Sequence, residues 1–352
     1  MHIPDGYLSP STCAVMYTAA GLGWYASLKR VRRNFSARFV PLISVLAAFC
    51  FVIMMFNLPL PGGTTGHAVG VTIASIVLGP SGAILAASIA LALQALFFGD
   101  GGITTLGANC FNIAVTGSLV AYAVYRVIAA GAPLKARRRI VAGAVAGYIA
   151  INVSALLTAI EFGIQPALFH NAEGAPLYAP YPLHIAIPAM MLGHFLVAGF
   201  AEAAITAALV AFAQSTDASL LRATSGLSPG SDEVQAAKSK SLKQLWVTVA
   251  LLMCLTPFGI LAAGTAWGEW SANELPSAAA TSANADIDQT PSGILRLSTV
   301  WTAPMPGYAP RFVKSAAFGY LLSAMFAVGL LMLCSWLAQR MSRRRQSVEI
   351  SR

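Results

Sequence analysis

The first two residues, Met1 and His2, carry three nitrogen atoms that can bind one metal ion. The α-amine of Met1, the peptide nitrogen of His2 and the His2 ring can close fused chelate rings around it. Imidazole and other nitrogen donors suit nickel, copper and related ions, and a planar set of nitrogens favours Ni(II) or Cu(II). One in-plane position remains open for a fourth ligand.

The composition is that of a membrane protein. Of the 352 residues, 57% are hydrophobic and only 10% are charged, and the mean hydropathy is +0.69. Soluble domains carry about 25% charged residues. The net charge of +9 fits the excess of Lys and Arg on the cytoplasmic loops of membrane proteins, so it does not point to a nucleic acid. We predict an all-α, polytopic protein of the cell inner (plasma) membrane.

The apolar stretches predict nine membrane spans, seven in a first bundle and two in a C-terminal module. We place residues 1–214 in the first domain, residues 215–244 in a polar cytoplasmic linker and residues 245–352 in the module, which includes an extracytoplasmic loop. Gly79-Pro80-Ser81-Gly82 divides residues 68–98 into a short span, a turn and a full span, because Pro and Gly interrupt helices. The other predicted spans are residues 11–28, 39–56, 104–125, 140–160, 184–212, 245–267 and 315–337.

The charge distribution predicts an N-terminus outside the cell and a C-terminus inside it. All of the 22 Lys and Arg residues then lie on the inner side except Arg296, Arg311 and Lys314. If residues 68–98 crossed the membrane only once, every later loop would lie on the other side. The basic residues 137–139 would then be outside the cell, against the positive-inside rule. The start is not a secretory signal, because no basic region precedes the first apolar run, so we expect Met1 to be retained.

His67 is the candidate for the fourth nitrogen, because this topology puts it on the same face as Met1 and His2. It ends a loop in which glycines allow close backbone approach and Thr65 can orient a ring. Such a loop at membrane depth must be buried in protein or line a cavity. A hydrogen-bonded structural role is the alternative, and the residue types alone leave both interpretations open.

Three longer motifs resemble the CbiM/NikM family of membrane proteins. They are MHIPDGYLSP at residues 1–10, PGGTTGHA at residues 61–68, and FFGDGG at residues 97–102 followed by GAN at residues 107–109. The resemblance covers roughly residues 1–214. Residues 245–340 resemble the small two-span partner CbiN or NikN, through PFG at residues 257–259 and TAWGEW at residues 265–270.

The resemblance implies the substrate-binding (S) component of an energy-coupling factor transporter for cobalt or nickel. It implies a planar site made by the Met1 amine, the peptide nitrogen and ring of His2, and the ring of His67. It also implies a transmembrane coupling (T) component and cytoplasmic ATPases as partners, Ni(II) or Co(II) as the transported ligand, and no cofactor or enzymatic activity. Such a site rejects Mg(II) and Ca(II), which want oxygen ligands, and weakens in acid, because its donors must be unprotonated.

Other polar residues leave alternatives open. Asp100 either orients His2 or is a turn residue. Asn109 and Asn112 either support the ligands or tie helices together. Glu202 is either functional or pairs with His194 on the same helix.

A few further features have structural interpretations. His170 and Glu173 are either an entry site or solvated loop residues. Gly143 and Gly147 predict close helix packing, or a docking face for a transport partner. We interpret the cysteines as buried structural thiols, because they all fall in apolar stretches.

Two other functions compete with metal uptake by a transporter component. The GPSG motif at residues 79–82 matches the GxSG form of rhomboid-like proteases, but no His is expected on that side of the membrane to act as its base. A stand-alone secondary carrier would need polar groups near the midplane, where Glu202 is nearly the only candidate. The chain has no GxxxxGK[ST] phosphate loop, so ATP hydrolysis must come from another chain.

Overall fold

The computed structural model describes residues 1–33, 39–60, 63–224, 239–262, 264–282 and 289–350. Helices dominate these residues, and one two-stranded antiparallel sheet pairs β1 (Leu58–Leu60) with β2 (Thr64–Gly66). The helices are α1 (Pro10–Arg33), α2 (Phe39–Met54), α3 (Val71–Leu93), α4 (Leu106–Asn109), α5 (Gly117–Ala129), α6 (Arg137–Leu168), α7 (Leu183–Gly193), α8 (Gly199–Thr216), α9 (Ser239–Leu255), α10 (Leu275–Ser282), α11 (Ser292–Leu297) and α12 (Ala316–Ile350).

Six helical segments in the described residues are long and apolar enough to cross a membrane. The chain is therefore a multi-pass membrane protein built mainly from helices, as predicted. Its shorter helix α2 is apolar on all sides because it packs against α3, α9 and α12. The count of nine spans and the orientation of the termini stay predictions. The six segments are Val71–Phe98, Leu106–Ala129, Arg137–Leu168, Leu183–Thr216, Leu242–Leu261 and Ala316–Arg340.

The chain reverses direction inside α3. Gly79 has φ 73° and ψ 168°, which is not helical, and Pro80 follows it. His67 before this break and Asp100 after it both lie beside His2. A straight helix of 28 residues would be about 40 Å long and would keep its two ends apart. The turn predicted at residues 79–82 is therefore a hairpin that returns the chain to the end of the bundle from which it came.

Small residues bring α6 and α8 together. Gly143 lies against Val210 and Thr206, and Gly147 lies against Thr206 and the backbone of Glu202. This contact agrees with the interpretation that Gly143 and Gly147 allow close packing of helices within the protein. The prediction of buried thiols is wrong for Cys254 and Cys334, which are exposed on the surface of apolar helices, as the hydrophobicity of lipid allows.

The C-terminal residues pack against the first bundle through α2. Helix α12 contacts α2, and Tyr320 donates a hydrogen bond to the carbonyl of Met55, at 3.1 Å. Part of the predicted linker is ordered: Ala218–Thr224 forms a 3₁₀-helix in which Leu220 and Leu221 are buried. Residues 225–238 of that linker lie outside the described residues, as do Pro61, Gly62 and residues 283–288 of the outer loop. The domain boundaries stay predictions.

Candidate metal-binding site

The N-terminal segment lies inside the protein rather than on its surface. Ile3 is fully buried, and its carbonyl accepts hydrogen bonds from Gly102 N (2.8 Å), Thr105 Oγ1 (2.5 Å) and Asn109 Nδ2 (3.1 Å). Its N–H donates to Asn109 Oδ1 at 2.8 Å. Buried backbone groups need such partners, and here residues 99–109 supply them. Asn109 therefore fixes the residue that follows His2, and its support of a ligand stays a prediction.

Asp5 anchors the segment a second time. Its carboxylate accepts hydrogen bonds from Ile103 N (3.1 Å), Thr104 N (2.7 Å) and Thr104 Oγ1 (2.5 Å). Gly102 makes this approach possible, because a Cβ there would lie 2.4 Å from Asp5. The turn at Pro4 and Asp5 therefore folds the chain back by hydrogen bonding to a loop about a hundred residues away.

The His2 ring is oriented by Asp100. Its Nδ1 donates to Asp100 Oδ1 at 2.5 Å, since an ionised carboxylate can only accept. Burial favours the neutral carboxyl, but the His2 ring outweighs burial, so the net pKa of Asp100 is below its ordinary value. Asp100 Oδ2 accepts from Tyr308 (2.5 Å) and from Gln94 (3.3 Å). Asp100 therefore orients the ring. In the described part of the chain, His2 Nε2 is buried without a hydrogen-bond partner.

His67 lies beside His2, with ring centroids 5.1 Å apart and the rings edge to face. Its Nδ1 donates to the Ala68 carbonyl at 3.0 Å, which leaves Nε2 with a lone pair. Burial, followed by the nearby His2 ring and N-terminal amine, lowers the pKa of His67 to about 4. The ring is therefore neutral at pH 7, as a metal ligand must be.

Glu202 fixes the loop that carries His67. Its carboxylate accepts hydrogen bonds from Val69 N (2.7 Å) and Gly70 N (3.0 Å), just after His67. Of the alternatives for Glu202, the pairing with His194 does not occur. His194 Nδ1 donates instead to the Met190 carbonyl one turn earlier, at 2.8 Å.

The other candidate residues divide as follows. Asn112 ties helices together, because its amide donates to Thr158 (3.2 Å) and Glu161 (2.9 Å). Thr65 Oγ1 bonds to the Gly264 carbonyl at 3.4 Å, so it is not the group that orients the His67 ring. His170 is bonded to its own loop, at Asn171 O.

Glu269 reaches the site from the C-terminal part of the chain. A single carboxylate oxygen, Oε1, lies 2.6 Å from the Met1 amine and 2.7 Å from the His2 peptide nitrogen. The segment before and after it is anchored, because Tyr7 donates to the Trp270 carbonyl at 2.7 Å. The sequence analysis includes Glu269 only as one letter of the TAWGEW motif at residues 265–270. The GEW letters within TAWGEW were the available signal.

Side-chain donors alone do not make a metal site here. Within the described ranges, no group of three or more His, Cys, Asp and Glu residues is placed to hold an ion. The structure instead brings together two backbone nitrogens, of Met1 and His2, and the two rings of His2 and His67. The two backbone nitrogens already converge on one point. The His2 ring turns its Nδ1 to Asp100, so a fused chelate requires this ring to rotate toward that point.

Two further features surround these residues. A cavity of about 180 Å³ adjoins Met1 and is also lined by Thr64, His194 and Trp267. Three π-helical stretches lie at this end of the bundle, and such stretches are frequent at functional sites. They are Gln94–Phe98, Cys110–Thr116 and His194–Ala198.

Comparisons with known proteins agree with this architecture. Residues 2–220 match the family CbiM, described as the cobalt uptake substrate-specific transmembrane region, and residues 241–344 match the PDGLE domain. A fused nickel transport protein NikMN of Rhodobacter capsulatus is 49% identical over 94% of this chain and 95% of its own length. A cobalt transport protein CbiM of Geobacter sulfurreducens is 33% identical over 60% of this chain and 58% of its own.

A solved structure has a similar fold over part of the chain. The crystal structure of a truncated transition metal transporter is 49% identical, with a TM-score of 0.58, and the match covers 61% of this chain and 99% of that one. These relatives are named as transport proteins, and this chain is likewise not an enzyme. The chain belongs to the CbiM family of cobalt uptake substrate-specific transmembrane proteins and carries a PDGLE domain after the CbiM region.

Proposed function

We propose that this chain is the substrate-specific component of an energy-coupling factor transporter that takes up nickel or cobalt ions through the plasma membrane. It captures the ion at the extracytoplasmic face in a planar site of four nitrogens. These are the Met1 amine, the His2 peptide nitrogen, the His2 ring and the His67 ring. The observation that carries the proposal is the convergence of all four groups at one buried end of the bundle.

The donor chemistry supports a transition metal as the cargo. Nitrogen ligands in a plane suit Ni(II), and affinities at such sites rise from cobalt through nickel to copper. The site offers Mg(II) and Ca(II) few of the oxygen ligands that they require. Relatives named for nickel and for cobalt transport support the same substrate class.

The energy source lies outside this chain. Its sequence has no phosphate-binding loop for ATP, so we assign ATP hydrolysis to separate cytoplasmic ATPases joined through a transmembrane coupling protein. A stand-alone carrier is less well supported, because one oxygen of Glu202, Oε2, is held by two backbone N–H groups of the loop that carries His67. A protease is not supported, because the hairpin puts residues 79–82 at the opposite end from His67.

Metal binding by the purified full-length protein tests the proposal. We expect one extra Ala before Met1, and separately His67→Ala, to lower the affinity for Ni²⁺ and Co²⁺ by at least about a hundredfold in equilibrium dialysis. His170→Ala is the matched control, since that ring bonds to its own exposed loop. Unchanged affinity in both the extended protein and His67→Ala would refute the four-nitrogen site.

The dependence on partners needs a second measurement. We expect ⁶³Ni²⁺ uptake into cells to require the coupling component and ATPases along with this chain. Uptake by vesicles that contain this chain alone and ignore ATP would instead identify a secondary carrier.

A further inference from the structure

The carboxylate of Glu269 occupies the position that a chelated ion must take. One oxygen atom lies within hydrogen-bond distance of both the Met1 amine and the His2 peptide nitrogen. Two adjacent nitrogens that close a chelate ring must also share one atom, the metal, at about 2.0–2.1 Å from each for a first-row ion. An ion so placed would overlap the Glu269 oxygen, so the carboxylate and the ion exclude each other.

We propose that Glu269 is a placeholder for the transported ion, which competes for the two backbone nitrogens and so lowers the affinity of the site. The inference rests on the proposed function above. It assigns to the C-terminal domain a residue that tunes how tightly the cargo is held.

Packing and backbone contacts fix the segment that carries Glu269. Trp267 and Trp270 are buried, and both pack against the ring of Tyr181. The backbone also pairs with β2, through a bridge between Thr65 and Ala266. These contacts hold the main chain in place, so the carboxylate can meet the nitrogens repeatedly without the whole loop being reordered.

The Glu269 side chain has room to leave. It is 15% exposed, whereas the Met1 amine that it contacts is almost fully buried. The cavity of about 180 Å³ borders both Met1 and Trp267, two residues before Glu269. A rotation of this side chain toward the cavity frees the two nitrogens while the tryptophans stay packed.

Competition of this kind has a definite effect on binding. If only a fraction of the molecules has its nitrogens free, the apparent affinity falls by that fraction. Four nitrogen ligands in a buried plane would otherwise hold an ion too tightly for rapid release. We infer that the placeholder keeps loading reversible enough for transport.

The experiment compares three variants of the full-length protein in Ni²⁺ binding. We expect Glu269→Gln to bind Ni²⁺ roughly tenfold more tightly than the natural protein, because a neutral amide competes poorly for the amine. Glu269→Asp keeps the charge on a shorter side chain that cannot reach both nitrogens, and its affinity should lie between. Glu274→Gln is the matched control, since that carboxylate belongs to the same loop but bonds to Ser271 N.

Uptake gives a readout that a purely structural role would not move. In cells that carry the whole transporter, we expect Glu269→Gln to lower both the half-saturating ⁶³Ni²⁺ concentration and the maximal rate. If Glu269→Gln and Glu269→Asp bind Ni²⁺ no more tightly than the natural protein, Glu269 is not a placeholder. Weaker binding by both variants would instead identify Glu269 as a ligand of the ion. If the natural protein binds no Ni²⁺ or Co²⁺ at all, the proposed function itself fails.

Discussion

Two segments far apart in the sequence cover the N-terminal residues, and they do so in different ways. Residues 99–105 hold the main chain of Ile3 and the carboxylate of Asp5 in place through several short hydrogen bonds. Residues 266–270 contact the two backbone nitrogens proposed as ligands through one carboxylate, that of Glu269.

This difference separates positioning from exchange. The bonds to Ile3 and Asp5 involve no predicted ligand, so they can persist while an ion enters and leaves. The bonds from Glu269 are made to the predicted ligands themselves, so they must break when an ion binds. A buried site can be both well ordered and exchangeable if separate segments do the two tasks.

The largest effect should come from removing the hydrogen bonds that Asn109 makes to the main chain of Ile3. In Asn109→Ala, the N–H of Ile3 loses its partner in a buried place, which costs about 1–3 kcal/mol. We expect the Ni²⁺ affinity to fall about a hundredfold in calorimetry, since His2 is next to Ile3. Asn112→Ala, one turn further on, should lose thermal stability but keep its affinity. Equal losses of affinity in the two variants would contradict the assigned roles.

A smaller effect should follow from releasing the His2 ring. Once the ring has rotated its Nδ1 to the ion, we expect Asp100 to accept from Nε2–H instead, and removal of a partner that orients a metal-binding His typically costs 10–100-fold in affinity. We expect about this loss for Asp100→Asn, and only a few-fold loss for Tyr308→Phe, which removes one hydrogen bond to Asp100. Competition dialysis with ⁶³Ni²⁺ would rank them, and the reverse order would mean that the C-terminal domain positions the ring.

Glu202→Gln should have a smaller effect still. The amide oxygen of Gln can accept from the N–H groups of Val69 and Gly70, so His67 keeps its place. We expect Ni²⁺ uptake by cells to stay within about threefold of the natural rate. Abolished uptake with intact binding would support a proton-carrying role for Glu202 and hence the carrier alternative.

The smallest effect concerns the protonation of His67. Its pKa is about 4 in the fold, against about 6.5 for a free ring. The unfolded chain therefore binds the proton first, so the stability gained from neutral His67 is complete above pH 6.5 and is lost as the pH falls toward 4. We expect ¹⁵N NMR of labelled histidine to show a neutral His67 ring down to about pH 5. A ring that gains its proton near pH 6.5 would show that His67 is less buried than described.

Sequence patterns could predict the parts of the site that depend on local chemistry. The donor spacing in Met1 and His2, the charges along the chain and the breakers around Gly79 together put His67 on the same face of the membrane as His2. The alternative that paired Glu202 with His194 did not hold, because Glu202 accepts from Val69 N and Gly70 N while His194 donates to the Met190 carbonyl.

The contacts of Asp5, Glu269 and Tyr308 could not be predicted from residue types. Each joins segments that are far apart in sequence, and polar residues beside glycines or aromatics in loops have many structural roles. The resemblance to a family put TAWGEW in the C-terminal domain but gave no reason to expect Glu269 at the amine. Such contacts follow only from the packing of the whole bundle.

The burial of the N-terminal segment also determines when the site can form during synthesis. Its first residues leave the ribosome at the beginning, but their partners lie 98 to 268 residues later in the chain. Contacts between such distant segments form late, because long loops must close first. The proposed metal site is therefore among the last parts of the molecule to be completed, and a chain truncated before Glu269 would lack the carboxylate that covers its amine.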